Sequence, residues 1–123
     1  MKNTRERIRI INAFKKYSRL GLARGKVDPL LAYERIKGCS KTNAQARELI
    51  AVYETVRYLE VCGKRDCLDA LFKVYFSLSS RTLKKSEIGE RVLRYATDNY
   101  CDQRTVYRRL SFVTAVYKRY LGL

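Results

Sequence analysis

The sequence predicts an all-α protein. Nearly every segment carries apolar residues at three- and four-residue steps, no alternating run is long enough to demand a sheet, and helix-opening polar residues recur between the apolar stretches. The 123 residues include one proline and no low-complexity run, and 46% are apolar, enough for a core. That length fits one domain, or a small domain with an arm.

The elements follow in order. Residues 4–20, TRERIRIINAFKKYSRL, place Ile8, Ile11 and Phe14 on one side and basic residues around the rest. This is either a helix packed by a narrow stripe or an arm that orders on binding. GLARGKV, with two glycines, is a loop. In VDPLLAYERIKG, Asp28 caps a short helix, Pro29 takes its first position and Gly38 stands just past its end. Thr42 and Gln45 fit a capping box. Leu49, Val52, Tyr53, Val56 and Leu59 then form a continuous apolar face that Gly63 ends.

Asp66 is expected to cap CLDALFKVYFSL, with Leu68, Leu71, Phe72, Tyr75 and Leu78 turned inward. The short CGKR connection makes these two helices an antiparallel hairpin. After the polar loop SSRTLKKS, Ser86 caps a helix that buries Ile88, Val92 and Ala96, and Gly89 beside Ile88 admits a closely crossing helix. TDNYCD is a turn. The last helix, capped by Asp102, buries Val106, Leu110, Val113 and Tyr117. The chain thus divides into a basic N-terminal helix or arm (1–27), a helical core hairpin (28–80) and a helix-turn-helix (81–123), with 28–123 as one continuous domain.

Charge is large and uneven. The net charge is +15, and a compact chain so charged repels itself unless a polyanion relieves it. Residues 1–27 hold nine Lys and Arg against one Glu, and 102–123 hold five against one Asp, whereas 28–80 hold eight against seven acids. A nearly neutral centre flanked by cationic ends suits contact with phosphates.

Catalysis is not expected. There is no histidine, the side chain that most often moves protons near neutral pH. Most acids are spaced as caps or helix-surface partners, and Glu87 and Glu90 suit a helix N-terminus better than a catalytic or metal pair. No GxxxxGK phosphate loop occurs, so no cofactor is implied. The cysteines, Cys39, Cys62, Cys67 and Cys101, lack zinc spacing and read as small buried thiols of a cytoplasmic protein. No apolar run is long enough for a membrane span, and no secretory leader is visible.

Binding is the expected activity. Removing the buried ladder from the last helix leaves Gln103, Arg104, Tyr107, Arg108, Ser111 and Lys118 outside, with Thr105 and Arg109 as lesser members. Arginine suits guanine O6 and N7 as a bidentate donor, glutamine suits adenine, and a recognition helix presents its first turns to base edges. Lys84, Lys85 and Ser86, at the start of the preceding helix, suit a phosphate.

CDQRTVYRRL resembles the recognition-helix opening of sigma-factor region-four and response-regulator helix-turn-helix proteins. With AVYETVRYLE, DALFKVYF and SEIGERV, residues 49–123 are similar to phage transcription regulators of the ArpU/RinA kind. That resemblance implies base reading by Gln103, Arg104, Thr105 and Arg108, and phosphate contacts from Lys84, Lys85, Ser86, Tyr107 and Arg109. From Ile88 to Cys101 is 13 residues, about twice the usual separation, so either the first helix is longer by about two turns or the turn is larger.

The expected function is therefore a sequence-specific, double-stranded DNA-binding transcription regulator, bacterial or phage, with the basic N-terminal segment adding phosphate contacts. One alternative is a sigma-like adaptor whose tyrosine-rich helices meet RNA polymerase or a second copy as a homodimer. Against it, the ten tyrosines suit a small core with hydroxyls at its edge. Another is RNA binding through the basic N-terminal segment.

Overall fold

The computed structural model describes residues 4–20, 28–76 and 87–122. These are all-helical: α1 (Thr4–Ser18), α2 (Pro29–Cys39), α3 (Asn43–Val61), α4 (Arg65–Ala70, continued by a π-helical turn Leu71–Tyr75), α5 (Glu87–Asp98) and α6 (Gln103–Leu121). No helix among the described residues is long and apolar enough to cross a membrane.

Local chemistry fixes most boundaries. The Asp28 carboxylate accepts from Leu31 N–H at 3.4 Å, with Pro29 opening α2. Gly38 lies inside the last turn of α2 rather than beyond it, because the helix runs on to Cys39 and ends at the extended Ser40. Thr42 Oγ1 accepts from Gln45 N–H at 3.1 Å, and Gln45 Oε1 accepts from Lys41 N–H at 2.7 Å. The capping pair is thus reciprocal, reaching one residue further back than the usual box.

Helix α3 ends as the glycine requires. Gly63 has φ +71°, and the Lys64 and Gly63 N–H groups return to the Leu59 and Glu60 carbonyls at 2.9 and 3.3 Å. This paired closure needs a left-handed residue at Gly63, where a side chain would be strained. The chain reverses there into α4, and α3 and α4 pack against each other as the expected hairpin.

Helix α4 departs from its expected form. Lys64, not Asp66, is its N-cap, and no side chain caps it; Asp66 lies in its exposed first turn. Phe76 N–H then donates to Leu71 C=O, five residues back, at 3.0 Å. Leu71 and Tyr75 are buried as expected, joined by Ala70 and Val74, while Leu68 and Phe72 are only half-buried. Leu78 lies outside the described residues, as do Lys84, Lys85 and Ser86.

One apolar core joins all six helices. The N-terminal segment, expected as a helix or an arm, is a helix over its described part, and its inward side belongs to this core. Ile10, Ile11, Ala13, Phe14 and Tyr17 are buried, whereas Ile8, expected in the stripe, is 40% exposed. The stripe is therefore centred one step round the helix from where Ile8 would place it. Five tyrosines, Tyr17, Tyr53, Tyr75, Tyr95 and Tyr117, lie in the core. The cysteines depart from expectation: Cys39 and Cys62 are exposed because they occupy helix ends, and Cys67 and Cys101 are half-buried.

In α5, Ile88, Val92 and Ala96 are buried as expected, with Tyr95 beside them. Gly89 does not serve a close helix crossing. It is exposed, and a Cβ built there meets nothing within 4 Å. Gly89→Ala is accordingly expected to stabilise the protein by about 0.5–1 kcal/mol, since alanine restricts the unfolded chain and favours the helix. A higher urea midpoint with an unchanged slope would show it.

Candidate nucleic-acid interface

The candidate surface begins at the α5–α6 turn. Helix α5 ends at Asp98 and α6 begins at Gln103, so four residues make the reversal. The long Ile88–Cys101 separation is thus absorbed by a twelve-residue helix and not by an enlarged turn. Cys101 N–H returns to Ala96 C=O at 3.0 Å, and Tyr100 takes φ +55° to turn the chain. That left-handed conformation is uncommon for an aromatic residue, and the Tyr100 ring is 97% exposed. Asp102 stands at the N-cap of α6 with extended backbone, but its carboxylate makes no capping hydrogen bond.

Packing then fixes which side of α6 faces out. Val106, Leu110, Val113 and Tyr117 are buried, with Val116 added. Each contributes about 1.5–3 kcal/mol by leaving water, so the rotation of the helix about its axis is strongly determined. Arg104, Arg108, Ser111, Ala115 and Arg119, spaced by four, three, four and four, are left exposed along one line. Gln103 is exposed at the start of the helix. No Asp or Glu occurs between Gln103 and Leu121, so that line carries three arginines, a serine and an alanine but no negative charge. Among the described residues, Arg104 and Arg108 have no carboxylate within 4 Å, the three ion pairs lying elsewhere.

The other expected members are placed differently. Thr105 is half-buried on the flank of α6, and Tyr107 is 38% exposed on the opposite flank. Arg109, expected among phosphate contacts, turns inward. Its guanidinium donates to Tyr95 Oη at 3.2 Å and lies 3.8 Å from Asp66, while Tyr95 Oη donates to Asp69 at 2.9 Å. These bonds tie the second turn of α6 to α5 and α4, and a phosphate would have to break them to reach Arg109. The sequence holds a signal for this: Arg109 follows Val106 by three and adjoins Leu110, at the edge of the buried ladder.

The same tie gives the protein a pH-dependent joint. Burial, reinforced by the Asp69 hydrogen bond and opposed by the Arg109 charge, pushes the Tyr95 phenol up from its usual 10 to about 12. Burial moves Tyr17, Tyr75 and Tyr117 in the same direction. A raised pKa in the folded state means stability that is complete below pH 10 and lost as pH climbs toward 12. The melting temperature is expected to fall across that window, and less steeply in Tyr95→Phe. Circular dichroism melts at stepped pH measure both.

Comparison with family models, with curated proteins and with solved structures finds no match to this chain. Its function must be inferred from the surface itself.

Proposed function

We propose that this protein is a sequence-specific, double-stranded DNA-binding transcription regulator of bacterial or phage type, in which α5, the four-residue turn and α6 act as a helix-turn-helix and α6 enters the major groove. The observation that carries it is the outer line of α6: Gln103, Arg104, Arg108 and Ser111 stand exposed on a helix without an acidic residue, and its two leading arginines lack carboxylate partners among the described residues. A helix with side chains is about 10–12 Å across, and the major groove is about 12 Å wide.

Roles follow from position. Gln103, Arg104 and Arg108 read base edges, and Thr105, on the flank, contacts the neighbouring strand. Tyr107 meets a phosphate with its hydroxyl. Lys84, Lys85 and Ser86 keep their proposed phosphate role from the sequence alone. Arg109 serves instead as a positioning residue that holds α6 at the angle at which Arg104 and Arg108 project together. Kinship of residues 49–123 with regulators of the ArpU/RinA kind is part of the same proposal and rests on their sequence patterns alone.

The deciding experiment is selection of bound duplexes from a random pool, followed by sequencing, at two salt concentrations. An enriched motif is expected, with log K falling linearly as log salt rises, by about 0.9 for each phosphate neutralised. A palindromic motif would identify a two-fold dimer. If no motif emerges at moderate salt, the regulator assignment is abandoned; retention of structured RNA in its place would favour RNA binding, and complex formation with RNA polymerase alone would favour the adaptor.

A further inference from the structure

A groove runs between α1 and α6 alongside the exposed line of α6. Tyr107, Ser111, Ala115 and Lys118 line its α6 side, Arg7 stands on its α1 side, and Tyr75 from the π-helical turn lies beneath. Lys118 Nζ donates to Glu6 Oε1 at 3.1 Å across the groove, and the Phe14 and Tyr117 rings meet in the core with centroids 5.3 Å apart. That contact neutralises the one carboxylate of the groove's lining. Arg7 is exposed and has no carboxylate within 4 Å among the described residues. The uncompensated charge of the groove is therefore that of Arg7; Tyr107 and Ser111 add hydroxyls, Thr114 is hydrogen-bonded to Tyr75, and Ile10, Ile11, Leu110 and Ala115 make the rest of the lining apolar.

From this geometry we infer that the α1–α6 groove receives the DNA sugar-phosphate strand bordering the major groove that α6 occupies, with Arg7 as its principal phosphate contact. The occupant is set by charge and place. An unpaired guanidinium beside hydroxyl donors complements a phosphodiester, and the groove adjoins the side of α6 already assigned to base edges, so one duplex meets both. Arg5 lies outside this groove: it lines a hollow with Gln45 and Glu48 of α3 and another that reaches Tyr117 and Leu121 at the far end of α6. Specific and non-specific contacts would then come from two helices whose spacing the core fixes, rather than from a loose basic arm.

This inference rests on the assignment of α6 to DNA, and the test separates the two. Binding of mixed-sequence duplex DNA and of a duplex carrying the selected motif is titrated across salt for wild type, Arg7→Gln, Arg7→Lys, Arg5→Gln and Arg104→Ala, each first checked for an unchanged melting temperature. Arg7→Gln should lower the salt slope by about 0.9 and weaken both duplexes by the same factor. Arg7→Lys should restore the slope, and Arg5→Gln should leave it close to wild type. Equal slopes for Arg7→Gln and wild type overturn the Arg7 contact while leaving α6 in place, provided Arg104→Ala still loses motif preference. An effect of Arg5→Gln as large as that of Arg7→Gln also overturns it, since net charge alone would then account for both. If wild type itself shows no motif preference and Arg104→Ala binds like wild type, the α6 assignment falls and the groove contact falls with it.

Discussion

Phe14→Ala is expected to destabilise the protein by about 3–5 kcal/mol, the usual cost of emptying a fully buried phenylalanine site. Phe14 is completely buried, with ring centroids 5.6 Å from Tyr75, 6.1 Å from Phe76 and 5.3 Å from Tyr117. Large rings held by other packing cannot collapse into the space left, so the cavity contribution adds to the lost transfer energy. A domain of this kind has about 5–15 kcal/mol in total, so a substantial share would go. Urea unfolding followed by circular dichroism measures the loss, with Ile8→Ala as a control at a 40% exposed position on the same helix, expected near neutral. The comparison discriminates sharply: were residues 4–18 an arm that orders only on a ligand, Phe14→Ala would melt like wild type.

Arg104→Ala and Arg108→Ala are each expected to cost about 1–3 kcal/mol of binding on the selected motif and much less on unrelated duplexes, relaxing preference at one base-pair position apiece. Both side chains are exposed, so their urea midpoints should match wild type. Arg109→Ala should behave in the opposite order. Its guanidinium bridges to Tyr95 and Asp66, so its removal should lower stability and weaken binding to motif and non-motif duplexes together. Repeating the random-duplex selection with each variant reads the preference directly. Should Arg109→Ala shift the motif with no change in stability, the roles of Arg108 and Arg109 are exchanged and α6 is turned differently against the DNA.

Much of this molecule was legible in local sequence. The Asp28–Pro29 opening, the Thr42–Gln45 cap and the Gly63 stop involve groups within a few residues of one another, so their chemistry needs no tertiary contact. The buried ladders of α3 and α6 were legible for the same reason, since three- and four-residue steps are set by the helix itself. The exposed placement of Gln103, Arg104 and Arg108 followed as the remainder of the α6 ladder.

What failed did so where one helix had to be phased by another. Between α4 and its π-helical continuation, Ala70 and Val74 took the fully buried side in place of Leu68 and Phe72, as contact with α5 and α6 required. Gly89 invited a crossing that no neighbouring helix makes. Arg109 is chemically the twin of Arg108, and only the nearness of Tyr95 and Asp66 separates their roles.

The sequence by itself determined an all-helical chain, most of the helix ends, and a last helix with one apolar and one cationic side, because these depend on backbone geometry and on spacing along one element. Tertiary structure alone decided that the N-terminal helix is part of the core, that Arg7 stands beside the outer face of α6, and that Arg109 braces while Arg108 projects. Those outcomes depend on distances between residues up to about a hundred positions apart, and such distances are set by how side chains fill a shared interior, which no local pattern specifies.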